Sequence, residues 1–170
     1  MISKKILILG EIGVGKTSLV RRFVLDELPS DYQATMGVDI YRYQVDGLGE
    51  TRSKSLDLVI WDSDGSFGTS IFSHPYAKGT SGALIVGDLT RPTTLDLMVK
   101  LAEGFDDAMP GREFTFVFNK TDLMDEGEDV VLPQPLKVAR QHKVWTSAVT
   151  AENVTSAFVE TADAIIRREI

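Results

Sequence analysis

The feature that most constrains the fold is a glycine-rich stretch, residues 10–17, between an apolar run and a segment with helical periodicity. Residues 4–9 have the length and composition of a buried strand, and residues 16 to about 25 place apolar side chains on one helical face. The stretch between them fits the pattern G-x-x-x-x-G-K-T, which is typical of a phosphate-binding loop. Its glycines allow the backbone to bend tightly and to turn N–H groups towards phosphate oxygens. The sequence therefore predicts a strand, a phosphate loop and a helix in succession.

The rest of the chain alternates strand-like and helix-like segments. Strands are predicted near residues 41–45, 56–61, 83–86, 114–118 and 144–146, and helices from residue 92, near 136–141, and from 154. Gly47 and Gly49 predict a hairpin turn between the second and third strands, and residues 63–82 predict a loop with a poor helix inside it. The prediction is an α/β fold: a single domain over residues 1–170, with a six-stranded, mostly parallel sheet, one antiparallel edge strand and helices on both faces.

In an open sheet of this kind, ligands bind beyond the carboxyl ends of the strands. Lys16 supplies a positive charge for the β- and γ-phosphates, and the hydroxyl of Thr17 can bind Mg²⁺. Both residues lie at a helix N-terminus, where free N–H groups and the helix dipole favour anions. The residues predicted to bind nucleotide here are Gly13, Val14, Gly15, Lys16, Thr17 and Ser18.

Three more loops follow strand ends. Asp62 can hold Mg²⁺ through water, and Gly65 can offer its N–H to a γ-phosphate. In the stretch Asn119-Lys120-Thr121-Asp122, the Asp122 carboxylate can accept both donors of a guanine edge, which adenine lacks. After the last strand, a backbone N–H of Ser147-Ala148 can bond the guanine O6. Taken alone, each of these stretches is also compatible with an ordinary solvated turn.

The order and spacing of the four loops resemble the Ras-like small GTPases, with Rab proteins the most similar group. The resemblance implies a P-loop NTPase fold, GTP or GDP with Mg²⁺ as ligands, and slow hydrolysis of GTP. It also implies that residues 31–39 form a first switch loop, in which Thr35 binds Mg²⁺ and the γ-phosphate. On this basis the predicted metal ligands are Thr17, Thr35 and Asp62, and the predicted catalytic residues are Lys16, Thr35, Gly65 and Ser66.

The chain departs from the family pattern around the γ-phosphate. Ser66 stands where the family usually has a glutamine that orients the attacking water. Ile12 is bulky at a position where small residues are common, and Asp64 puts a carboxylate beside the γ-phosphate, so we expect Asp64 to face solvent or a cation. His74 could serve as a base near the γ-phosphate in place of the missing glutamine, although a partly exposed structural histidine is the simpler interpretation. These departures leave the binding residues intact and predict a low intrinsic turnover.

Three functions are compatible with this pattern. The first is a molecular switch with slow Mg²⁺-dependent GTP hydrolysis, whose two switch loops bind effectors, an exchange factor and an activating partner. The second is a catalytically silent module that binds GTP or GDP, and the third is a P-loop kinase or ATPase, against which Asp122 argues. The net charge of −7 argues against nucleic acid as a partner. The absence of cysteine from this sequence excludes prenylation and palmitoylation within it, because both modify cysteine. We therefore expect a cytoplasmic protein with no direct membrane anchor.

Overall fold

The computed structural model of the protein describes residues 1–28 and 34–169. Its strands are β1 (Ile2–Gly10), β2 (Val38–Leu48), β3 (Lys54–Ser63), β4 (Thr80–Asp88), β5 (Glu113–Asn119) and β6 (Lys143–Thr146). Its helices are α1 (Lys16–Leu25), α2 (Pro92–Ala108), α3 (Gln134–Val138) and α4 (Val154–Arg168). Short 3₁₀ segments cover Gly65–Ser73, Pro75–Ala77 and Thr121–Leu123. The predicted first-switch residues 31–33, and most of the loop predicted around residue 30, lie outside the described residues.

The six strands form one sheet in the order β2-β3-β1-β4-β5-β6. Strand β2 runs antiparallel to β3, and every other neighbouring pair is parallel. This confirms the predicted fold class, including the single antiparallel edge strand.

The core lies on both faces of the sheet because successive side chains of a strand point to opposite faces. In β1, Ile6 and Ile8 belong to one apolar cluster, which packs under α1 and α4. Leu7 and Leu9 belong to the other cluster, which packs under α2 and α3. The central strands are therefore buried on both sides, which explains their continuous apolar sequences. No helix in the described ranges is long and apolar enough to cross a membrane.

The strand register places the predicted site residues along one edge of the sheet, at the carboxyl ends of the parallel strands. Asp62 of β3 lies opposite Ile8 of β1, two residues before the end of that strand. On the other side of β1, Asp88 of β4 pairs with Asn119 of β5, and Asn119 pairs in turn with Thr146 of β6. The phosphate loop and the three other predicted loops therefore leave the sheet at the same edge.

The structure corrects several boundaries. Strand β4 begins at Thr80 rather than at residue 83, and the loop predicted over residues 63–82 contains two 3₁₀ segments. The hairpin turn begins at Gly49, whose carbonyl accepts a hydrogen bond from the N–H of Arg52, whereas Gly47 lies inside β2 at a shift of the strand register. Helix α3 begins at Gln134 and ends at Val138, earlier than predicted.

Candidate functional site

The phosphate loop, residues 10–17, is held in its conformation by glycines. Gly13 has a φ of 78° and Gly15 a φ of 102°, in the left-handed region that favours glycine. Gly15 is also the residue that precedes α1, so its conformation sets the direction in which the helix begins. A Cβ at Gly15 would lie 2.3 Å from Asn119 Nδ2, so a side chain at this position would also force Asn119 to move.

Lys16 is 6% exposed and lies at the start of α1. Its Nζ donates hydrogen bonds to the carbonyl oxygens of Gly10 and Glu11, each at 2.9 Å. Burial lowers the pKa of Lys16 to about 8, because the protonated form loses hydration. An anion beside this ammonium group would therefore favour the charged form.

Thr17, Thr35 and Asp62, the three predicted metal ligands, lie together. Thr17 Oγ1 donates a hydrogen bond to Asp62 Oδ2 at 2.5 Å, and Thr35 Oγ1 lies 2.6 Å from Thr17 Oγ1. Asp62 is fully buried, and burial raises its pKa to about 6. Within the described ranges, its other oxygen, Oδ1, has no hydrogen-bond partner. Burying a carboxylate oxygen without a partner costs free energy of folding. A cation bound at Asp62 would supply that partner.

The chemistry of this donor set fits Mg²⁺. Mg²⁺ prefers oxygen ligands and is usually bound through one or two carboxylates together with substrate phosphates. Here the described part of the chain brings one carboxylate and two hydroxyl groups together. It contains no group of three or more histidine, cysteine, aspartate or glutamate side chains placed to hold a metal. The site therefore fits a metal ion that is completed by phosphate oxygens rather than one enclosed by protein.

A cavity of about 480 Å³ opens beside these residues. Its lining includes eight of the predicted site residues: Gly13, Gly15, Lys16, Thr17, Ser18, Thr35, Gly65 and Lys120. The remaining predicted residues lie outside the lining: Val14, Asp62, Ser66, Asn119, Asp122, Ser147 and Ala148. The cavity also contains residues that the sequence did not indicate, among them Arg21 and Tyr41.

Asn119 connects three loops at the edge of the sheet. Its Nδ2 donates a hydrogen bond to the Val14 carbonyl at 3.0 Å, and its Oδ1 accepts one from Thr146 Oγ1 at 3.0 Å. The side chain is nearly fully buried, so both of its polar atoms need partners and both have them. Asn119 therefore fixes the phosphate loop relative to the loops that follow β5 and β6.

Asp122 and Ser147 lie side by side at the other end of the site. Asp122 Oδ1 accepts a hydrogen bond from Ser147 Oγ at 2.7 Å, and Ser147 Oγ accepts one from the Thr150 N–H at 3.0 Å. The adjoining residue Ala148 is buried, and its carbonyl accepts a hydrogen bond from Arg22 Nε at 2.8 Å. Since Asp122 itself is exposed, its carboxylate is oriented by the serine and remains accessible to a ligand.

The segment after β3 packs directly on the phosphate loop. A Cβ at Gly65 would lie 2.6 Å from the backbone nitrogen of Ile12, so glycine is needed for this approach. Asp64 Oδ1 accepts a hydrogen bond from the Ser66 N–H at 2.8 Å, and this bond is the main reason that the pKa of Asp64 lies below its ordinary value. The expectation that Asp64 faces solvent or a cation is thus only partly met, because its carboxylate caps its own 3₁₀ segment at the cavity edge.

His74 has a structural contact rather than a place in the cavity. Its Nδ1 accepts a hydrogen bond from the Tyr76 N–H at 3.3 Å, and it precedes the 3₁₀ segment Pro75–Ala77. It is not part of the cavity lining. This contact favours the structural interpretation of His74.

Sequence reasoning did not find the contacts of Asp88 and Arg91 with this site. Asp88 is 1% exposed at the end of β4, and Lys120 Nζ lies 2.8 Å from its Oδ2. Arg91 donates a hydrogen bond to the Ile12 carbonyl at 2.7 Å. The stretch from Asp88 to Thr90 contributed only to the family resemblance, and a contact across 79 residues leaves no local signal in the sequence.

Comparison with known proteins gives a consistent result. The Ras family model matches residues 5–167 of the chain. The Ras-related protein Rab-13 of Canis lupus familiaris is 31% identical over 166 residues, which cover 95% of this chain and 79% of that protein. The Ras-related protein Rab-4B of Homo sapiens is 31% identical over 168 residues, which cover 96% of this chain and 76% of that protein.

Proposed function

The chain belongs to the Ras family, and on that premise we propose how its own residues bind, hydrolyse and respond to a guanine nucleotide. It is a GTP-binding molecular switch with GTPase activity and uses GTP or GDP with Mg²⁺. The alternative of a catalytically silent module is not favoured by this membership. The roles of individual residues, set out below, are proposals.

One observation carries the assignment of roles. The hydroxyl of Thr17 at the phosphate loop lies within hydrogen-bond distance of both the Thr35 hydroxyl and the buried carboxylate of Asp62. Among the described residues nothing satisfies Asp62 Oδ1, and Lys16 lies in the adjoining cavity. These groups come from three separate segments of the chain, which supports a common function in holding a phosphate-bound cation.

In the proposed complex, the phosphate loop binds the β- and γ-phosphates through its N–H groups and Lys16. Thr17, Thr35 and Asp62 hold Mg²⁺, which neutralises charge on the phosphate oxygens. Asp122 accepts hydrogen bonds from the guanine edge, while Ser147 orients its carboxylate and Asn119 fixes the loop that carries it. An adenine base would not offer the Asp122 carboxylate the two donors of the guanine edge, so the site selects guanine.

We propose that hydrolysis is slow without a partner. Ser66 is exposed, and its N–H is bonded to Asp64 Oδ1, so its short side chain is poorly suited to orient a water molecule at the γ-phosphate. Turnover then relies on the positive charge of Lys16 and on the N–H groups of the loop, at roughly 10⁻⁴ to 10⁻³ s⁻¹. An arginine from an activating partner would raise this by roughly 10³- to 10⁵-fold.

The proposed switch consists of the segments around Thr35 and Gly65. The N–H of Asp64 donates a hydrogen bond to the Gly37 carbonyl at 2.8 Å, so the two segments are joined by their backbones. Contacts of Thr35 and Gly65 with the γ-phosphate would hold both segments, and hydrolysis would release them. Effectors, an exchange factor and an activating protein would bind there.

Cellular location and domain content are also proposals. We propose that residues 1–170 act as one domain in the cytoplasm, and that the surface of this domain does not itself bind an anionic membrane. The single sheet with a core on each face supports the first statement, and the net charge of −7 disfavours direct attachment to an anionic membrane.

A single-turnover assay tests the proposal. The protein is loaded with GTP and Mg²⁺, and the bound nucleotide is separated by chromatography over several hours. We expect slow conversion to GDP, faster conversion in Ser66→Gln, and loss of nucleotide retention in Lys16→Ala. Ser70→Gln serves as a control because it adds the same side chain at another exposed position of the same 3₁₀ segment.

Each result has a distinct meaning. GTP that stays bound without conversion would restore the silent module. Rapid hydrolysis by the unaided protein would contradict the proposed role of the Ser66 position. A protein that retains no guanine nucleotide would refute the proposed function as a whole.

A further inference from the structure

Two cationic side chains meet one buried carboxylate behind the phosphate loop. Asp88 Oδ2 lies 2.8 Å from Lys120 Nζ and 3.1 Å from Arg91 Nε. Its other oxygen, Oδ1, accepts hydrogen bonds from the N–H of Thr90 at 2.8 Å and from the Thr90 hydroxyl at 2.6 Å. Because both oxygens are bonded and the side chain is 1% exposed, the carboxylate is a fixed anchor for the two cations.

Both cations extend from this anchor to the phosphate loop. Lys120 Nζ donates a hydrogen bond to the Gly13 carbonyl at 2.8 Å, and an Arg91 terminal nitrogen donates one to the Ile12 carbonyl at 2.7 Å. Two successive carbonyl groups of the loop are therefore held by cations that share one carboxylate. Hydrogen bonds with a charged donor are stronger than those between neutral groups.

The contact of Arg91 fixes the orientation of a peptide group. The peptide unit that joins Ile12 and Gly13 is planar and trans, so its N–H points away from its C=O. When Arg91 holds the Ile12 carbonyl, the N–H of Gly13 must point in the opposite direction, away from Arg91. Gly13 lies in the cavity lining, so this N–H is one of the groups that a phosphate there would use.

We propose that Arg91 is a positioning residue of the nucleotide site, which presets the Ile12–Gly13 peptide for phosphate binding. This inference rests on the proposed function and adds a residue that the phosphate-loop pattern does not contain. Its importance follows from Ile12, whose side chain is 44% exposed and therefore does little to fix this peptide by its own packing. The charged hydrogen bond from Arg91 supplies that constraint instead.

The geometry requires an arginine. Arg91 uses Nε for Asp88 and a terminal nitrogen for Ile12, and the planar guanidinium holds these two donors at a fixed separation. A lysine carries its donors on one nitrogen at the end of a flexible chain, so it cannot reproduce two donors that a planar group holds at a fixed separation. Arg91→Lys should therefore recover only part of the effect.

The test measures release of a fluorescent GDP analogue, in the presence of Mg²⁺, after addition of excess unlabelled GDP. We expect Arg91→Ala to release the nucleotide roughly tenfold faster or more, in line with the loss of a hydrogen bond to a charged group. Arg91→Lys should give an intermediate rate. Arg112→Ala, an exposed arginine with no ion pair in the described part of the chain, should release at the wild-type rate.

A second nucleotide separates positioning of the phosphate loop from a general loss of structure. Inosine diphosphate has the same phosphates but lacks the exocyclic amino group that Asp122 would recognise. If Arg91 acts on the loop alone, Arg91→Ala accelerates release of both nucleotides by the same factor and leaves the preference for guanine unchanged. The thermal midpoint of each variant, measured without nucleotide, confirms that it is folded.

The outcomes are distinguishable. An unchanged release rate in folded Arg91→Ala and Arg91→Lys would overturn the inference while the proposed function stands. A loss of guanine preference together with a large drop in thermal midpoint would also overturn it, because the role of Arg91 would then be structural. Failure of the wild-type protein to bind the GDP analogue would instead overturn the proposed function, and the inference with it.

Discussion

Gly15 is subject to two separate geometric restrictions, and they can be told apart. Its φ of 102° lies in the left-handed region, and a Cβ would lie 2.3 Å from Asn119 Nδ2. Gly47 is subject only to the first restriction, because its φ is 73° and a Cβ there would meet no atom within 4 Å. Both glycines thus have a φ in the left-handed region, and of the two only Gly15 has a close neighbour.

We predict that Gly47→Ala lowers the free energy of unfolding by about 1 kcal/mol, the usual cost of left-handed backbone for a residue with a Cβ. Gly15→Ala should cost a further ~1–3 kcal/mol, because Asn119 must move and its bond to the Val14 carbonyl is lost. Urea denaturation measures both losses, and a GDP titration should show weaker binding only for Gly15→Ala. Equal losses in the two variants would contradict this account.

At the scale of single residues, the sequence predicted contacts between residues that lie in a local motif or at the ends of neighbouring strands. The meeting of Thr17 with Asp62 was predictable because Thr17 follows β1 and Asp62 lies near the end of the neighbouring parallel strand β3. The contact of Arg91 with Ile12 was not, since it depends on how the first turn of α2 lies against the loop. Such placement is decided by packing of the whole domain, which no short motif encodes.

At the scale of elements, the 3₁₀ segment Gly65–Ser73 is attached to α2 by aromatic packing. Ile71 is buried in the core, and Phe72 lies edge-on to Phe105 with ring centroids 6.4 Å apart. A Cβ at Gly104 of α2 would lie 2.6 Å from the Phe72 ring, so the absence of a side chain there makes room for the segment. The second proposed switch segment is therefore seated on a helix.

We predict that Gly104→Ala loosens this segment. In an exposed helix the same change adds roughly 0.5–1 kcal/mol of stability, but here Phe72 has to move away. Net stability should stay nearly constant, while hydrogen exchange at residues 65–73 becomes faster. Glu103→Ala, at an exposed neighbouring position, should leave exchange in that segment unchanged. Unchanged exchange in Gly104→Ala, with the full gain in stability, would show that the packing does not hold the segment.

Elements with a long hydrophobic period were predicted well, and short ones were not. Residues 92–108 and 154–168 contain several turns of consistent apolar spacing, and both form the predicted helices. The segment Gly65–Ser73 has too few residues for a period and is kinked at Gly68, whose φ is 50°. Helix α3 has five residues and a proline in its first turn, so its position depends mainly on the burial of Leu136.

At the scale of the whole molecule, Asp88 links two loops that are far apart in sequence, and its ionisation contributes to stability. Burial alone would raise the pKa of Asp88, but hydrogen bonds from Lys120 and Thr90 outweigh it and hold the pKa below the ordinary value. The unfolded chain therefore binds this proton more readily than the folded protein does. The resulting stability is present above about pH 4 and is lost as the pH falls through the folded-state pKa.

We predict that Asp88→Asn lowers the free energy of unfolding at pH 7, because Lys120 and Arg91 lose their shared carboxylate. A loss of about 2 kcal/mol is typical for hydrogen bonds to a charged group, and the partly exposed Lys120 and Arg91 regain hydration. Below pH 4 the difference from wild type should begin to shrink, because the unfolded wild-type chain takes up a proton at Asp88 there, and the rest is lost as the pH falls through the lower folded-state pKa. Urea denaturation at pH 7 and pH 3.5 measures both values. Asp129→Asn, at an exposed loop position, should follow the wild-type curve, and a constant difference for Asp88→Asn would rule out this linkage.

The backbone bond between Asp64 and Gly37 has one more consequence. The antiparallel ladder of β2 and β3 closes its last residue pair at Val38 and Ser63, and the Asp64–Gly37 bond adds one rung beyond it. The end of this ladder thus lies between the two proposed switch segments, at the point where the two strands separate. Movement of either segment changes the same quantity, the number of closed rungs. A partner that touches only one segment would therefore sense the state of both.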